Sequence, residues 1–409
     1  MSRTICHGDR GRMSDGTDAI AVDAPSLRIR LVRYATPMLG ERLDNRMRHV
    51  AKWARKQGIS CFRLYEKDIP EFPMIVDWYG DEAWGEKGGE KAAGEPGAVT
   101  TGDAVAWFFH RTKDDTLEKE RDYRIDAEAE ILAGLNIPRE RLHIKYRGRQ
   151  RAEDGGRDQY ERFDSRGAIK VVREHGLRFE VNLSDYLDVG LFLDHRPTRL
   201  SVQQRAAGKR VLNLFSYTGA FSVHARAGGA VRTKTVDMSK TYLDWYVRNL
   251  ALNDFAPNAD HEVVHADCLQ WLESGPTAGE AYDIVVCDPP TFSNSKRMKA
   301  DSFAIDRDYP DLLRWIARFV APGGEVFFST NSRSFEFDPA AVPVGFGAHE
   351  ISHRSVPEDF RNRKIHRCWR LAEGWKPKQR ASRPLAEGSA NDDAKDGAGS
   401  DSGCDTLEP

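Results

Sequence analysis

The chain contains 409 residues, enough for two domains of the usual ~100 to 200 residues each. Apolar residues make up 40% and charged residues 30%, and 61 bases against 63 acids leave a net charge of -2, which excludes a membrane-embedded chain and a wholly disordered one. No stretch approaches the ~20 apolar residues of a membrane helix, and Met1 to Arg10 lacks the apolar centre of a secretion signal, so a soluble, cytoplasmic protein is expected.

The six cysteines, at 6, 61, 268, 287, 368 and 404, form no C-x-x-C pair, so no zinc site, disulfide framework or other metal centre is expected. Residues 1–26 and 373–409 lack apolar periodicity and read as disordered tails. The second tail is acidic, with seven acids and one base between Glu387 and Glu408, so the remainder of the chain is cationic.

A first domain, 27–180, is expected to be a small α+β unit. Asp44-Asn45 is expected to cap a helix whose apolar positions are Met47, Val50, Ala51, Trp53 and Ala54, stopped by Gly58. Cys61 to Tyr65 and Met74 to Tyr79 read as strands, and 126–135 as a helix. The Gly- and Glu-rich stretch 82–103 cannot bury enough apolar surface to order itself and is expected to be a disordered insertion. From Arg139 to Arg151 there are six bases and one acid on a strand-like period; Arg147, Arg149 and Arg151 would line one face, either a solvated one or a row of phosphate contacts.

In 181–372, short apolar runs alternate with helical patterns, which predicts an α/β fold with a mostly parallel, doubly wound sheet. The expected strands are 210–215, 233–237, 262–265, 281–287 and 325–330, joined by helices 220–227, 240–253, 268–273 and 309–320. Pro322-Gly323-Gly324 should end the last helix, and 348–352 with 366–371 should add an antiparallel hairpin edge.

Chemistry collects at the ends of these strands. Asn213 to Phe221 is a strand, turn and helix with a single glycine, Gly219, plus Ser216 and Thr218; it lacks G-x-G-x-x-G, which lowers the case for a dinucleotide and a dehydrogenase. Asp237, 18 residues on, suits two ribose hydroxyls, and Asp267 suits an exocyclic amine with Met238 and Leu269 covering the ring. Each acid alone is as well explained as a helix cap. The fourth strand ends in Asp288-Pro289-Pro290-Thr291-Phe292, where two prolines fix the backbone and aim Asp288 out of the strand.

With Asp188 to Arg196, Asp288 to Met298 and Pro357 to Arg363, these blocks resemble one family over about 28 to 372: the C-terminal half of the bifunctional bacterial 23S rRNA methyltransferase K/L, the half associated with guanine N7. The resemblance implies a class I S-adenosylmethionine (SAM) methyltransferase fold. It implies a cofactor set of Asp194, Arg196, Asn213, Phe215, Ser216, Tyr217, Thr218, Gly219, Asp237, Met238, Ser239, Asp267, Cys268 and Asp288, and catalysis at Asp288, Pro289, Pro290 and Phe292. The family's other half, with its N2-guanine activity, has no counterpart here, so a separate protein is expected to supply it.

Cytosine C5 chemistry requires a thiolate, and the fifth strand end, Phe327 to Ser332, has no cysteine; Cys287 reads as core. Guanine N7 keeps a lone pair at neutral pH, so transfer needs alignment rather than a base. Thr291 stands where exocyclic-amine enzymes carry an aromatic residue, which weighs against N2 while leaving it open. Because A-form RNA hides N7 in a narrow groove, the expected partner is 23S rRNA before full assembly. It would be gripped by the Arg139–Arg151 run, by Lys296 and Arg297, and by Arg361 and Arg363. A binding-only assembly factor is the alternative outside enzymes.

Overall fold

The computed structural model describes residues 39–82, 84, 101–109, 117–147, 167–256, 258–293 and 302–374. The first expected tail, the second from 375 on, the insertion from 85 to 100, and Arg149, Arg151, Lys296 and Arg297 lie outside these residues; Glu373, expected in the second tail, ends a strand.

Helix α1 (Leu39–Lys56) buries Leu43, Met47, Val50, Ala51 and Ala54 on one face. It starts before the expected cap: Asp44 lies inside the helix and pairs with Arg48, while the Gly40 amide donates to Glu130 Oε2 at 2.9 Å. Glu130 belongs to α2 (Leu117–Leu135), which crosses α1 where a Cβ on Gly134 would stand 2.4 Å from the Gly40 carbonyl oxygen. The Glu130 contact thus caps a helix whose apolar stripe already begins at Leu39.

Both helices cover a four-stranded sheet, ordered β1 (Cys61–Glu66), β2 (Met74–Gly80), β3 (Gly102–Phe109) and β4 (Leu142–Arg147), antiparallel except for β3 with β4. Strand β3 was not anticipated, because the insertion's polar composition was carried through to Asp103. The basic run is not one strand: Arg139–Arg141 form a 3-10 turn, with Arg139 paired to Glu128 and Arg141 to Asp81. Lys145 is buried, donating to the carbonyls of Tyr186 and Leu187, so the cations before Arg147 are largely committed to the fold.

The hairpin β5 (Ile169–Glu174) and β6 (Leu177–Asn182), also unanticipated, turns on His175-Gly176, both at positive φ. Its Val172, Phe179 and Val181 pack with Tyr79, Val105 and Trp107 of the first sheet, and with Val223, Tyr246 and Leu250 of the helices beyond. The domain boundary expected at 180/181 falls inside this hairpin.

After α3 (Arg196–Arg205) come β7 (Arg210–Leu214), α4 (Ala220–Ala227), β8 (Arg232–Asp237), α5 (Lys240–Leu252), β9 (His261–His265), α6 (Cys268–Ser274) and β10 (Tyr282–Cys287). The two-residue pair β11 (Phe292–Ser293) and β12 (Phe303–Ala304) precedes α7 (Ile305–Ala317), β13 (Val320–Thr330), β14 (Phe346–Glu350), α8 (Ser352–Ser355) and β15 (Arg367–Glu373). The seven-stranded order is β14-β15-β13-β10-β7-β8-β9. Pro322-Gly323-Gly324 does not end α7; it lies within the irregular start of β13, where the register against β10 shifts. The expected antiparallel hairpin edge is present: β14 and β15 pair antiparallel at one end of the sheet, and because β15 also runs against β13, the outermost β14 runs with the rest. Among the described residues, no helix is long and apolar enough to cross a membrane.

Candidate active site at the carboxyl ends of the parallel strands

One cavity lies at the carboxyl ends of β7, β8, β9 and β10, where an open parallel sheet places its ligands. The turn after β7 is tight: Phe215, Tyr217 and Gly219 all have positive φ. A Cβ on Gly219 would stand 2.0 Å from the Tyr246 ring, so only glycine fits. Asn213 and Thr218 touch the cavity but serve the frame, Asn213 donating to Ser222 Oγ (2.9 Å) and Thr218 to the Gly190 carbonyl (2.6 Å). Ser216 Oγ is buried in the same wall without a partner among the described residues.

At the tip of β8, Asp237 accepts from the amides of Tyr217 (2.9 Å) and Ser239 (2.8 Å). Burial nonetheless pushes its pKa up to about 6. Met238 lines the cavity, whereas Ser239 caps α5 behind it. Asp267 caps α6 through Oδ1, to the Leu269 amide at 2.9 Å, and leaves Oδ2 buried and unpartnered among the described residues. The capping reading of this acid holds on Oδ1, and Oδ2 keeps its acceptor capacity at the cavity.

Cys268 accepts from the Phe215 amide (3.2 Å) and donates to the Val236 carbonyl (3.4 Å). The described cysteines, 61, 268, 287 and 368, are free and buried. Burial raises each thiol pKa, Cys61 to about 12, so none offers a thiolate at neutral pH.

Beyond β10, Asp288, Pro289 and Pro290 form one wall, and Asp288 Oδ1 accepts from Ser329 Oγ at 2.6 Å. Phe292 lies outside that wall with 53% of its surface exposed. Asp194 lines the cavity, but Arg196, expected beside it, does not. It is buried against Asp359 (3.0 Å) and the Cys61 carbonyl (2.7 Å), because α3 begins there and turns it toward the first sheet.

The lining residues given no role from the sequence are Gly190 to Phe192, His195, Arg199, Ala220, Phe221, Tyr242, Ser293, Phe303 and Asn331. His195 stood in the block Asp188 to Arg196 without a role; Asn331 lay in the run Phe327 to Ser332, read only for cysteine. Asp194, His195 and His366 bring ligand atoms within 4.8 Å of one another. The two imidazoles stack at 4.3 Å and 8°, so their in-plane lone pairs run side by side rather than toward one ion.

Of the expected RNA contacts, Arg361 is 63% exposed at its side chain and 3.4 Å from Asp68, and Arg363, also exposed, donates to the carbonyls of Val356 and Pro357 at 2.9 Å. Of Arg147 only the backbone, at the end of β4, is described.

Residues 143–343 match the family model of S-adenosylmethionine-dependent methyltransferases. A SAM-dependent methyltransferase from Streptococcus mutans superposes with a TM-score of 0.58 at 20% identity, covering 82% of this chain and 80% of that one. A methyltransferase complexed with SAH gives 0.57 at 21%, with 83% of each chain covered. The fold is that of the class I SAM methyltransferases. SAM is the cofactor that belongs to this fold and family match, and the unpartnered Ser216 Oγ and Asp267 Oδ2, beside the Asp237 carboxylate, are the open polar positions a nucleoside would fill. The chain is 41% identical over 338 residues to ribosomal RNA large subunit methyltransferase K/L of Alcanivorax borkumensis, covering 82% of this chain and 43% of that protein. To the protein of the same name from Pseudomonas paraeruginosa it is 43% identical over 370 residues, covering 90% and 46%. It thus spans less than half the length of these relatives.

Proposed function

We propose that this chain transfers a methyl group from SAM to N7 of a guanine in 23S rRNA, by direct in-line displacement. One observation carries the reading: a single cavity combines open polar positions at β7 and α6 with the fixed Asp288-Pro289-Pro290 corner, and no described cysteine there can act as a thiolate. The names of the relatives support large-subunit rRNA as the substrate class.

When bound, SAM supplies an electrophilic methyl on a sulfonium. In this reading Asp237 accepts the ribose hydroxyls, Asp267 Oδ2 takes the adenine amine, and Met238 and Leu269 cover the ring. Guanine N7 brings its own lone pair, so the chain has no proton to remove and contributes alignment and exclusion of water. The Asp288 carboxylate, lining the cavity at this corner, would stabilise the positive charge that a purine gains on accepting a methyl at N7. Phe292 is exposed beside that corner and available to stack on the base. Arg361 and Arg363, with Arg147, Arg149, Arg151, Lys296 and Arg297, supply phosphate contacts to cytoplasmic, incompletely assembled rRNA.

The test is mass spectrometry of 23S rRNA nucleosides from cells lacking the gene. Loss of one 7-methylguanosine, restored by the wild-type gene and not by Asp288→Ala, is expected; an unchanged profile contradicts the reading. Loss of an N2-methylguanosine instead selects the exocyclic amine, a reading favoured by Asp288 as an acceptor for N–H.

A further inference from the structure

Asp288 is held from one side by the Ser329 hydroxyl, on Oδ1. Its other oxygen, Oδ2, stands 3.4 Å from His195 Nε2, and the same nitrogen is 3.9 Å from Asp194 Oδ2. His195 is only 5% exposed and lines the cavity. Its Nδ1 is buried with no partner among the described residues. A buried N–H without an acceptor costs more than a buried acceptor without a donor, so the proton belongs on Nε2, between the two carboxylates. Burial lowers the His195 pKa, opposed chiefly by Asp288, and the ring is neutral at neutral pH.

The ring itself is fixed from behind. His366 stacks on it at 4.3 Å, and both His366 nitrogens are engaged, Nδ1 with Asp194 Oδ2 (2.9 Å) and Nε2 with Ser355 Oγ (2.8 Å). Phe221 meets it edge-on at 6.0 Å. Arg199 of α3 faces the same cavity, but Glu174 holds its guanidinium by two bonds of 2.6 and 2.8 Å. That leaves His195 Nε2 as the nitrogen beside Asp288 Oδ2, 3.4 Å away.

We infer that His195 and Ser329 clamp the Asp288 carboxylate from its two oxygens, making His195 a positioning residue for methyl transfer. The inference rests on the function proposed above, which gives Asp288 its place facing the base. A spacing of 3.4 Å between Nε2 and Oδ2 is one that a hydrogen bond closes by tightening when substrates bind. A clamp on a carboxylate affects the reacting geometry and leaves cofactor affinity almost untouched.

The experiment measures steady-state methyl transfer to protein-free large-subunit rRNA by wild type, His195→Phe, His195→Gln and Ser329→Ala, with thermal melts alongside. Phenylalanine keeps the stack on His366 and removes the nitrogen; glutamine returns an N–H near Nε2 without the stack. His195→Phe is expected to lower kcat by about 10- to 100-fold with the KM for SAM within about 3-fold, and His195→Gln to recover most of that loss. Wild-type kcat in His195→Phe, or a His195→Gln no better than it, overturns the clamp. Should His195→Phe fail to fold, Ser329→Ala decides: a fall in kcat at constant KM supports the clamp and an unchanged kcat overturns it. A wild-type protein that transfers no methyl to this RNA overturns the proposed function and the clamp with it, whereas equal wild-type and His195→Phe activity overturns the clamp alone.

Discussion

Glu174 and Asp237 are both enclosed carboxylates, but their oxygens are used in opposite ways. Glu174 has no exposure and is enclosed by donors: Arg199 binds both oxygens at 2.6 and 2.8 Å, His224 Nε2 lies at 3.1 Å and the Arg196 guanidinium at 3.5 Å. Among the described residues Asp237 has only backbone amides as hydrogen-bond donors, and it faces the cavity. The first cluster joins the hairpin, α3 and α4 and is saturated; the second keeps acceptor capacity for a ligand. Charge that is fully matched inside the protein builds the fold, and charge left partly unmatched in a cavity serves binding.

Titration separates the two with opposite signs. Burial acts to raise the Glu174 pKa, but Arg199 and His224 outweigh it and hold the carboxyl well below its usual range. Its contribution to stability is therefore present above the ordinary glutamate pKa and is lost as pH falls through the lower folded value. For Asp237, raised by burial to about 6, ionisation favours the unfolded chain. This group stabilises the fold most below its unfolded pKa, and that contribution is lost as pH rises toward about 6.

The largest effect is expected from Glu174→Ala, which strands Arg196, Arg199 and His224 in the interior. Chemical denaturation should show a loss of about 3–5 kcal/mol; a loss below about 1 kcal/mol would erase the distinction drawn here. Next in size, Asp237→Asn should weaken SAM binding by about 10- to 100-fold. Calorimetry across pH sharpens this: wild-type affinity should hold near pH 8 and fall below the pKa of about 6, while the variant stays flat. Equal pH dependence in both proteins would assign the titration elsewhere. Smallest of all, Arg361→Ala should lower rRNA affinity a few-fold and reduce the slope of log K against log salt by about 0.7, with SAM affinity unchanged. An unchanged slope would remove Arg361 from the RNA surface.

The parallel sheet was legible because each strand of the second half is an apolar run closed by a turn residue or an acid, and helix α4 falls where expected, at Ala220–Ala227. Strands β5 and β6, IKVVRE and LRFEVN, were not, since each mixes charges into a short run and is decided by packing against two other units. The cavity acids Asp237, Asp267 and Asp288 were found because the strand ends announce them. Direction was the hidden quantity. Asp194, His195 and Arg196 are adjacent in sequence, yet the first two face the cavity and the third enters the buried cluster. Spacing along the chain does not reveal which way a helix start will turn its side chains. Asn331 escaped for a similar reason, arriving at the cavity only through the parallel pairing of β13 with β10.

The central claim is tested most directly by incubating the purified chain with isotopically labelled SAM and protein-free 23S rRNA, then separating the digested nucleosides by liquid chromatography and mass spectrometry. The label is predicted in 7-methylguanosine, and absent there when Asp288→Ala replaces the wild type. Label in N2-methylguanosine or 5-methylcytidine, or no transfer at all, would contradict it.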